Sequence, residues 1–277
     1  MRCSHRSRRS YARIEPLDLQ NLIVDETMQS VSHSVRTHEL VSRTKGLVGG
    51  WQRAIEVYES FEGMHLKVEG AGEFIIDSSG PSIRKSNLQE ELTQLDREII
   101  LGPALVLALA MRNTWSLHAS AAMFRDQVFV FLGESGQGKS TLAAYLSQSV
   151  GWRLVADDIL PVKIDSTGVS VFPHFPQLKL PLDAQPGSEL PEKLSLSKVC
   201  LLMSTENDPE LELIPAKQAV HAWLSHTAGT RLFDSSLLAG HLDFCGRAAV
   251  RHPVYRLAYP HRRDALPAIK CLLESVC

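Results

Sequence analysis

QVFVFLGESGQGKST, residues Gln127–Thr141, is the stretch whose reading decides the fold. Its first six residues, Gln127–Leu132, are apolar, aromatic or β-branched almost throughout, the composition of a buried strand. The next eight, Gly133-Glu134-Ser135-Gly136-Gln137-Gly138-Lys139-Ser140, satisfy G-x-x-x-x-G-K-[ST] at every fixed position, and Thr141 follows. A helix is expected over Lys139–Val150, so the order is strand, glycine-rich turn, helix, the context this loop needs. Its glycines let backbone N–H groups turn inward around phosphate oxygens, and the helix N-terminus adds partial positive charge. Lys139 is expected across the β- and γ-phosphates of ATP, with the Ser140 hydroxyl on Mg²⁺. The loop leaves open whether the phosphate passes to water, a nucleoside, a small metabolite or a protein.

Working outward, Asp157 and Asp158 follow Lys139 by 18 and 19 residues. They end an apolar strand, Arg153–Ala156, which is expected to lie beside the Gln127–Leu132 strand and so bring a carboxylate near the metal. Phosphoryl transfer to a hydroxyl needs one acidic group on the Mg²⁺ side and one to orient and deprotonate the acceptor. Two adjacent carboxylates can divide those duties, and their repulsion raises one pKa unless a metal offsets it. His118 lies fifteen residues before Gly133, ahead of an expected strand Ala121–Phe124. A histidine in that setting more often packs with its ring N–H satisfied than contacts phosphate.

The rest of the chain divides around this core. Residues 1–14 carry Arg2, Arg6, Arg8, Arg9 and Arg13 with no acidic residue and read as a basic arm. Residues 15–95 hold short alternating segments, His65–Val68 and Glu73–Ile76, punctuated by Gly63, Gly70, Gly72 and Gly80, and read as a small β-rich domain. Residues 96–277 form the nucleotide-binding domain, entered through an apolar helix Pro103–Arg112. Beyond Asp158, Pro161–Ile164 and Val169–Phe172 are expected as a hairpin, followed by a proline-rich loop over or beside the site (Pro173, Pro176, Pro181, Pro186, Pro191). Lys198–Met203 and Pro253–Ala258 read as strands, Pro215–Ser225 as a helix opened by proline, and a terminal helix starts near Arg263.

Composition narrows the partners. Lys and Arg number 29 against 31 Asp and Glu, a formal charge of −2, so no global field recruits nucleic acid or an anionic membrane. No apolar run approaches the roughly 18 residues of a membrane span. Five scattered cysteines, Cys3, Cys200, Cys245, Cys271 and Cys277, with no C-x-x-C pair, point to a reducing, cytoplasmic setting, to structural thiols and away from zinc.

Taken together, SLHASAAMFRDQVFVFLGESGQGKSTLAAYLSQSVGWRLVADDILPV (Ser116–Val162) resembles the HPr serine kinase/phosphorylase family, in which a histidine precedes the phosphate loop and a strand ending Val-Ala-Asp-Asp follows it. The segments Leu101–Ser120 and Pro253–Pro260 look like the compact HPr-kinase-like enzymes of lasso-peptide gene clusters, which phosphorylate a precursor peptide on a serine. The resemblance implies an α/β, P-loop kinase core of the HPr kinase/phosphoenolpyruvate carboxykinase-like type, with a small N-terminal domain. It implies Lys139 on the phosphates, Ser140 and Asp157 on the Mg²⁺ side, and Asp158 as base toward the acceptor serine of a peptide or small protein. HPr kinases form hexamers, so the resemblance permits a homo-oligomer.

Two departures mark this chain. HPr enzymes follow the loop serine with Glu where Thr141 stands, and their later acidic-Ile-Arg-Gly-Leu-Gly signature is missing. Both weaken HPr as substrate and the reverse phosphorolysis, and leave the forward kinase intact. Candidates to offset phosphoryl charge are Lys179, Arg231, Arg247 and Arg251, each read first as a surface cation. A metabolite kinase and a nucleotide switch without acceptor are the competing readings.

Overall fold

The computed structural model describes residues 12–13, 23–24, 39–78, 82–86, 92–176 and 189–277. Apart from Ala12–Arg13, the basic arm lies outside them, as do Lys179, Pro181 and Pro186 of the proline-rich stretch. Mixed sheets and helices make an α/β protein that divides into two units, Met1–Ala108 and Leu109–Cys277. The sequence reading put the junction near residue 95; the division falls inside the apolar helical run that follows.

The first unit holds a seven-stranded sheet in the order β1-β2-β7-β6-β5-β4-β3. Its strands are β1 (Ala12–Arg13), β2 (Ile23–Val24), β3 (Glu39–Val48), β4 (Trp51–Ser60), β5 (Gly63–Val68), β6 (Gly72–Asp77) and β7 (Ser82–Lys85). Strands β3 and β4 are joined by Gly49 (φ +60°) and Gly50 (φ +76°), the left-handed pair that a tight two-residue hairpin turn requires. Ile55 and Val57 alternate with more exposed neighbours on β4, whereas Met64, His65 and Leu66 on β5 and Phe74, Ile75 and Ile76 on β6 are buried in succession, so the central strands are covered on both faces. Helix α1 (Gln94–Ile99) opens with a capping box between Thr93 and Asp96. Lys85 Nζ reaches Asp96 Oδ2 at 2.9 Å. Burial opposes ionisation of Asp96, but hydrogen bonds from Lys85 and Thr93 outweigh it and hold the carboxyl below its ordinary range. The expected apolar helix forms only over Leu105–Ala110 (α2). Ahead of it, Ile100–Ala104 makes a π-turn in which Gly102 is non-helical and Pro103 has no N–H to give.

The second unit is built on nine strands. The path runs β11-β9-β10-β14-β13-β12-β8, with β16 on β14 and β15 on β16. These are β8 (Trp115–His118), β9 (Ser120–Phe124), β10 (Gln127–Leu132), β11 (Trp152–Ala156), β12 (Ile159–Asp165), β13 (Gly168–Val171), β14 (Leu194–Ser204), β15 (Glu210–Leu213) and β16 (Val254–Tyr259). The centre, β10-β14-β16, is parallel, and its flanking strands are antiparallel. Helices α3 (Lys139–Ser147) and α6 (Leu266–Ser275) contribute to a core with Phe129, Phe131, Leu142, Leu146, Trp152, Leu202 and Ile269. Each such side chain, fully buried, contributes roughly 1.5–3 kcal/mol. Helices α4 (Ala216–Ser225) and α5 (Ser235–Arg251) enclose a second cluster of rings, Trp115, Trp223, Phe233 and Phe244. Among the described residues no helix is long and apolar enough to cross a membrane.

One expectation is corrected here. The Asp-bearing strand β11 does not lie beside β10, because β9 stands between them, antiparallel to both. Only Arg125 (φ +54°) and Asp126 join β9 to β10, and so short a turn forces those strands to be neighbours. The strand β11 is left with the far edge of β9. Of the cysteines, Cys200 and Cys245 are buried, Cys271 and Cys277 are exposed, and Cys3 lies outside the described residues.

Candidate active site

Two strand pairs break at the same place. The pairing β8 with β12 ends at His118 opposite Ile159, and β9 with β11 ends at Ala121 opposite Ala156. Between them lie Ala119 and Ser120 on one segment and Asp157 and Asp158 on the other. An extra residue, Val155, bulges β11 just before the break, a device that re-aims side chains. Asp158 has φ +91°, a left-handed conformation that costs a residue with a Cβ about 1–3 kcal/mol. Its carbonyl accepts from Ala119 N at 3.1 Å, which ties the two breaks together.

The loop Gly133–Ser140 leaves β10 and enters α3 at this same end of the sheet. Gly138 (φ +85°) caps α3, and a Cβ there would lie 2.7 Å from the Tyr259 hydroxyl, so glycine is required both by conformation and by space. The Tyr259 hydroxyl donates to the Gln137 carbonyl at 3.1 Å, fastening the loop to the end of β16. Burial pushes that phenol up to about 12, so it remains a donor at any working pH. Within the loop, Gln137 Oε1 accepts from Glu134 N at 2.9 Å. Lys139 is buried, 7% exposed as a residue, and its ammonium donates to the carbonyls of Gly133 at 2.6 Å and Glu134 at 3.1 Å.

These elements bound a pocket of about 270 Å³ lined by His118, Ser120, Ser135, Gly136, Gly138, Lys139, Ser140, Thr141, Asp157 and Asp158. All the sequence-expected catalytic and metal-side residues are brought together there. Gly133, Glu134 and Gln137 do not line it; they shape the loop from behind. Arg231, Arg247 and Arg251 are elsewhere: none lines the pocket, and Arg247 pairs with Asp243 at 3.1 Å on the exposed side of α5.

The polar geometry is specific. His118 Nε2 lies 3.2 Å from Asp158 Oδ1, with the imidazole 40% and the carboxylate 20% exposed, so this pair meets solvent. The Ser120 hydroxyl donates to Asp157 Oδ1 at 2.5 Å. Behind them, the His226 carbonyl accepts from His118 N at 2.7 Å and so holds the end of β8. Burial drives His226 down to about 4; Glu134 opposes that shift, and Lys139 and His118 add to it. It is therefore neutral near the loop lysine at physiological pH.

Sequence reasoning did not find Ser120, His226 or Tyr259. Ser120 and Tyr259 fell inside segments quoted for their family likeness, but nothing in their spacing singled them out. His226 lies 108 residues after His118 in the numbering, and only the fold joins them.

No family model and no curated protein sequence matches the chain. Among solved structures it is similar to the Hpr(Ser) kinase/phosphatase from Coxiella burnetii, at 14% identity over 58% of this chain and 95% of that one, with a TM-score of 0.35. A likeness that loose carries no argument about this chain's reaction, which rests on the loop and its pocket.

Proposed function

We propose that this chain is an ATP- and Mg²⁺-dependent phosphotransferase of the HPr-kinase-like P-loop type that passes the γ-phosphate to a serine hydroxyl. The acceptor is a peptide or small protein, and the sequence resemblance points to a lasso-peptide precursor. The observation that carries the reading is the convergence of Lys139, Ser140, Asp157 and the His118–Asp158 pair on one pocket.

The residues fit the groups they would hold. Backbone N–H groups at the start of α3, with Gly136 and Gly138 in left-handed conformations, form the kind of cradle that phosphate oxygens take. Lys139 would exchange its two loop carbonyls for phosphate oxygens, a stronger charge-assisted contact. Magnesium favours hard oxygen donors and uses one or two carboxylates together with substrate phosphates, which suits Ser140 and Asp157, both lining this pocket. Bound there, it would supply charge stabilisation to the phosphate oxygens.

In the transfer, Asp158 accepts the proton of the acceptor serine as that oxygen bonds to the γ-phosphorus. The bond to the β–γ bridging oxygen breaks, and ADP leaves with that electron pair. His118 fixes the direction of the Asp158 carboxylate through its 3.2 Å contact and, when protonated, stabilises its charge.

The test is to incubate serine-containing peptides encoded beside this gene with the protein, ATP and Mg²⁺, and to read intact mass. A gain of about 80 Da on serine, absent with Lys139→Ala, is expected from adding HPO₃ to a hydroxyl. Transfer only to free metabolites, or ATP turnover without any acceptor, would replace this reading with a metabolite kinase or a nucleotide switch.

A further inference from the structure

The strand β9 does more than separate β10 from β11. Ser120, its first residue, is paired on one side with Phe131, just before the loop, and lies on the other side against Asp157. It is fully buried in the protein, yet it is one of the residues lining the pocket, together with Ser140 and Asp157. A buried hydroxyl needs a partner, and this one donates to Asp157 Oδ1 at 2.5 Å, across 37 residues of sequence. Holding one carboxylate oxygen from the sheet restrains the group and narrows where its second oxygen can lie.

We infer that Ser120 is a positioning residue: it sets Asp157 for a divalent cation and so governs how tightly the pocket holds the metal–nucleotide complex. This rests on the proposed role of Asp157 on the metal side. Hydroxyl and amide groups that hold a metal-ligating side chain typically change metal affinity 10–100-fold when removed. Ser120 lies between Ala119 and Ala121, so Ser120→Ala asks for no side-chain shape the strand does not already carry beside it.

The experiment measures Mn²⁺ binding by electron paramagnetic resonance, with the full chain and a non-hydrolysable ATP analogue. The variants are Ser120→Ala, Asp157→Asn and the double variant, with folding checked by thermal melting. Ser120→Ala is expected to weaken nucleotide-dependent Mn²⁺ binding about 10-fold or more, while metal-free nucleotide affinity changes less than about twofold. In the Asp157→Asn background, Ser120→Ala is expected to add nothing, because its effect runs through that carboxylate. Additive losses in the double variant, or wild-type Mn²⁺ binding by Ser120→Ala, would overturn this inference alone. A wild type that binds no Mn²⁺ with nucleotide would overturn the metal-side role of Asp157 and this inference with it.

Discussion

Two places in the second unit carry the residue types of catalysis, and they differ in access and in the direction of their protons. At the pocket, His118 faces Asp158 in partial contact with solvent, beside the Lys139 loop. At the far end of the same strand β8, the Trp115 ring packs 5.1 Å from His241. His241 Nε2 lies 2.8 Å from Thr227 Oγ1 and 3.2 Å from Cys245 Sγ. That looks like a nucleophile with its base, but donor accounting refutes it. Thr227 gives its proton to the Trp223 carbonyl at 2.9 Å, so it must accept from His241 Nε2, which is then a donor with no lone pair for the thiol. Burial pushes Cys245 up to about 12, far from thiolate. Access and proton direction, more than residue identity, separate a site from a core.

The sharpest way to break this contrast is to compare Lys139→Ala with Cys245→Ala. Loss of the loop lysine is expected to lower phosphoryl transfer by about 10²–10³-fold or more, and loss of the thiol to leave kcat within about twofold. Equal losses in a transfer assay would erase the distinction. Asp158→Asn is expected to cost about 10²–10⁴-fold in kcat with nucleotide affinity kept, as for a proton acceptor acting on the second substrate. Titration calorimetry with ATP beside the rate assay reads both halves.

Stability should run the other way. His241→Ala opens a cavity among Trp115, Phe233 and Cys245 and is expected to destabilise by about 2–4 kcal/mol in urea unfolding, with transfer by the folded fraction retained. Asp158→Gly relieves the left-handed strain and is expected to gain up to about 1 kcal/mol while transfer is lost. A destabilised Asp158→Gly would mean that the aspartate holds the corner together.

A separate effect lies in pH. Burial holds His226 neutral to about 4 from an ordinary 6.5, so between those values the unfolded chain binds the proton that the folded chain refuses. Stability therefore falls as pH drops through that window, and His226→Gln should flatten the fall. Urea midpoints at pH 7 and pH 5 check it.

The loop, the Asp pair and the strand before them were legible because a Gly-x-x-x-x-Gly-Lys-Ser run between an apolar stretch and a helical one, and two adjacent carboxylates after a second apolar stretch, can be read without the fold. Gln127–Leu132 and the start of α3 are placed as read. Helix α5, the longest described, was not foreseen, and its composition explains why. Its inward face is made of His241, Cys245, Ala248 and Ala249 with Phe244, while Leu238, Leu242 and Val250 are exposed, so apolar residues lie on both faces and no single stripe marks the one that packs. Neighbourhood was equally hidden. The place of β9 follows from a two-residue turn that carries no glycine, and Ser120 acquires its partner only through that placement.

The Tyr259 fastening has a consequence in time. Every residue that lines the pocket has been made by the time a ribosome reaches Asp158, but the side chain that clamps the loop lies 122 residues beyond the carbonyl it holds. A nascent chain therefore carries its whole set of reactive groups well before it can grip them in place. Competence arrives late in synthesis, when β16 slots beside β14 and closes the latch.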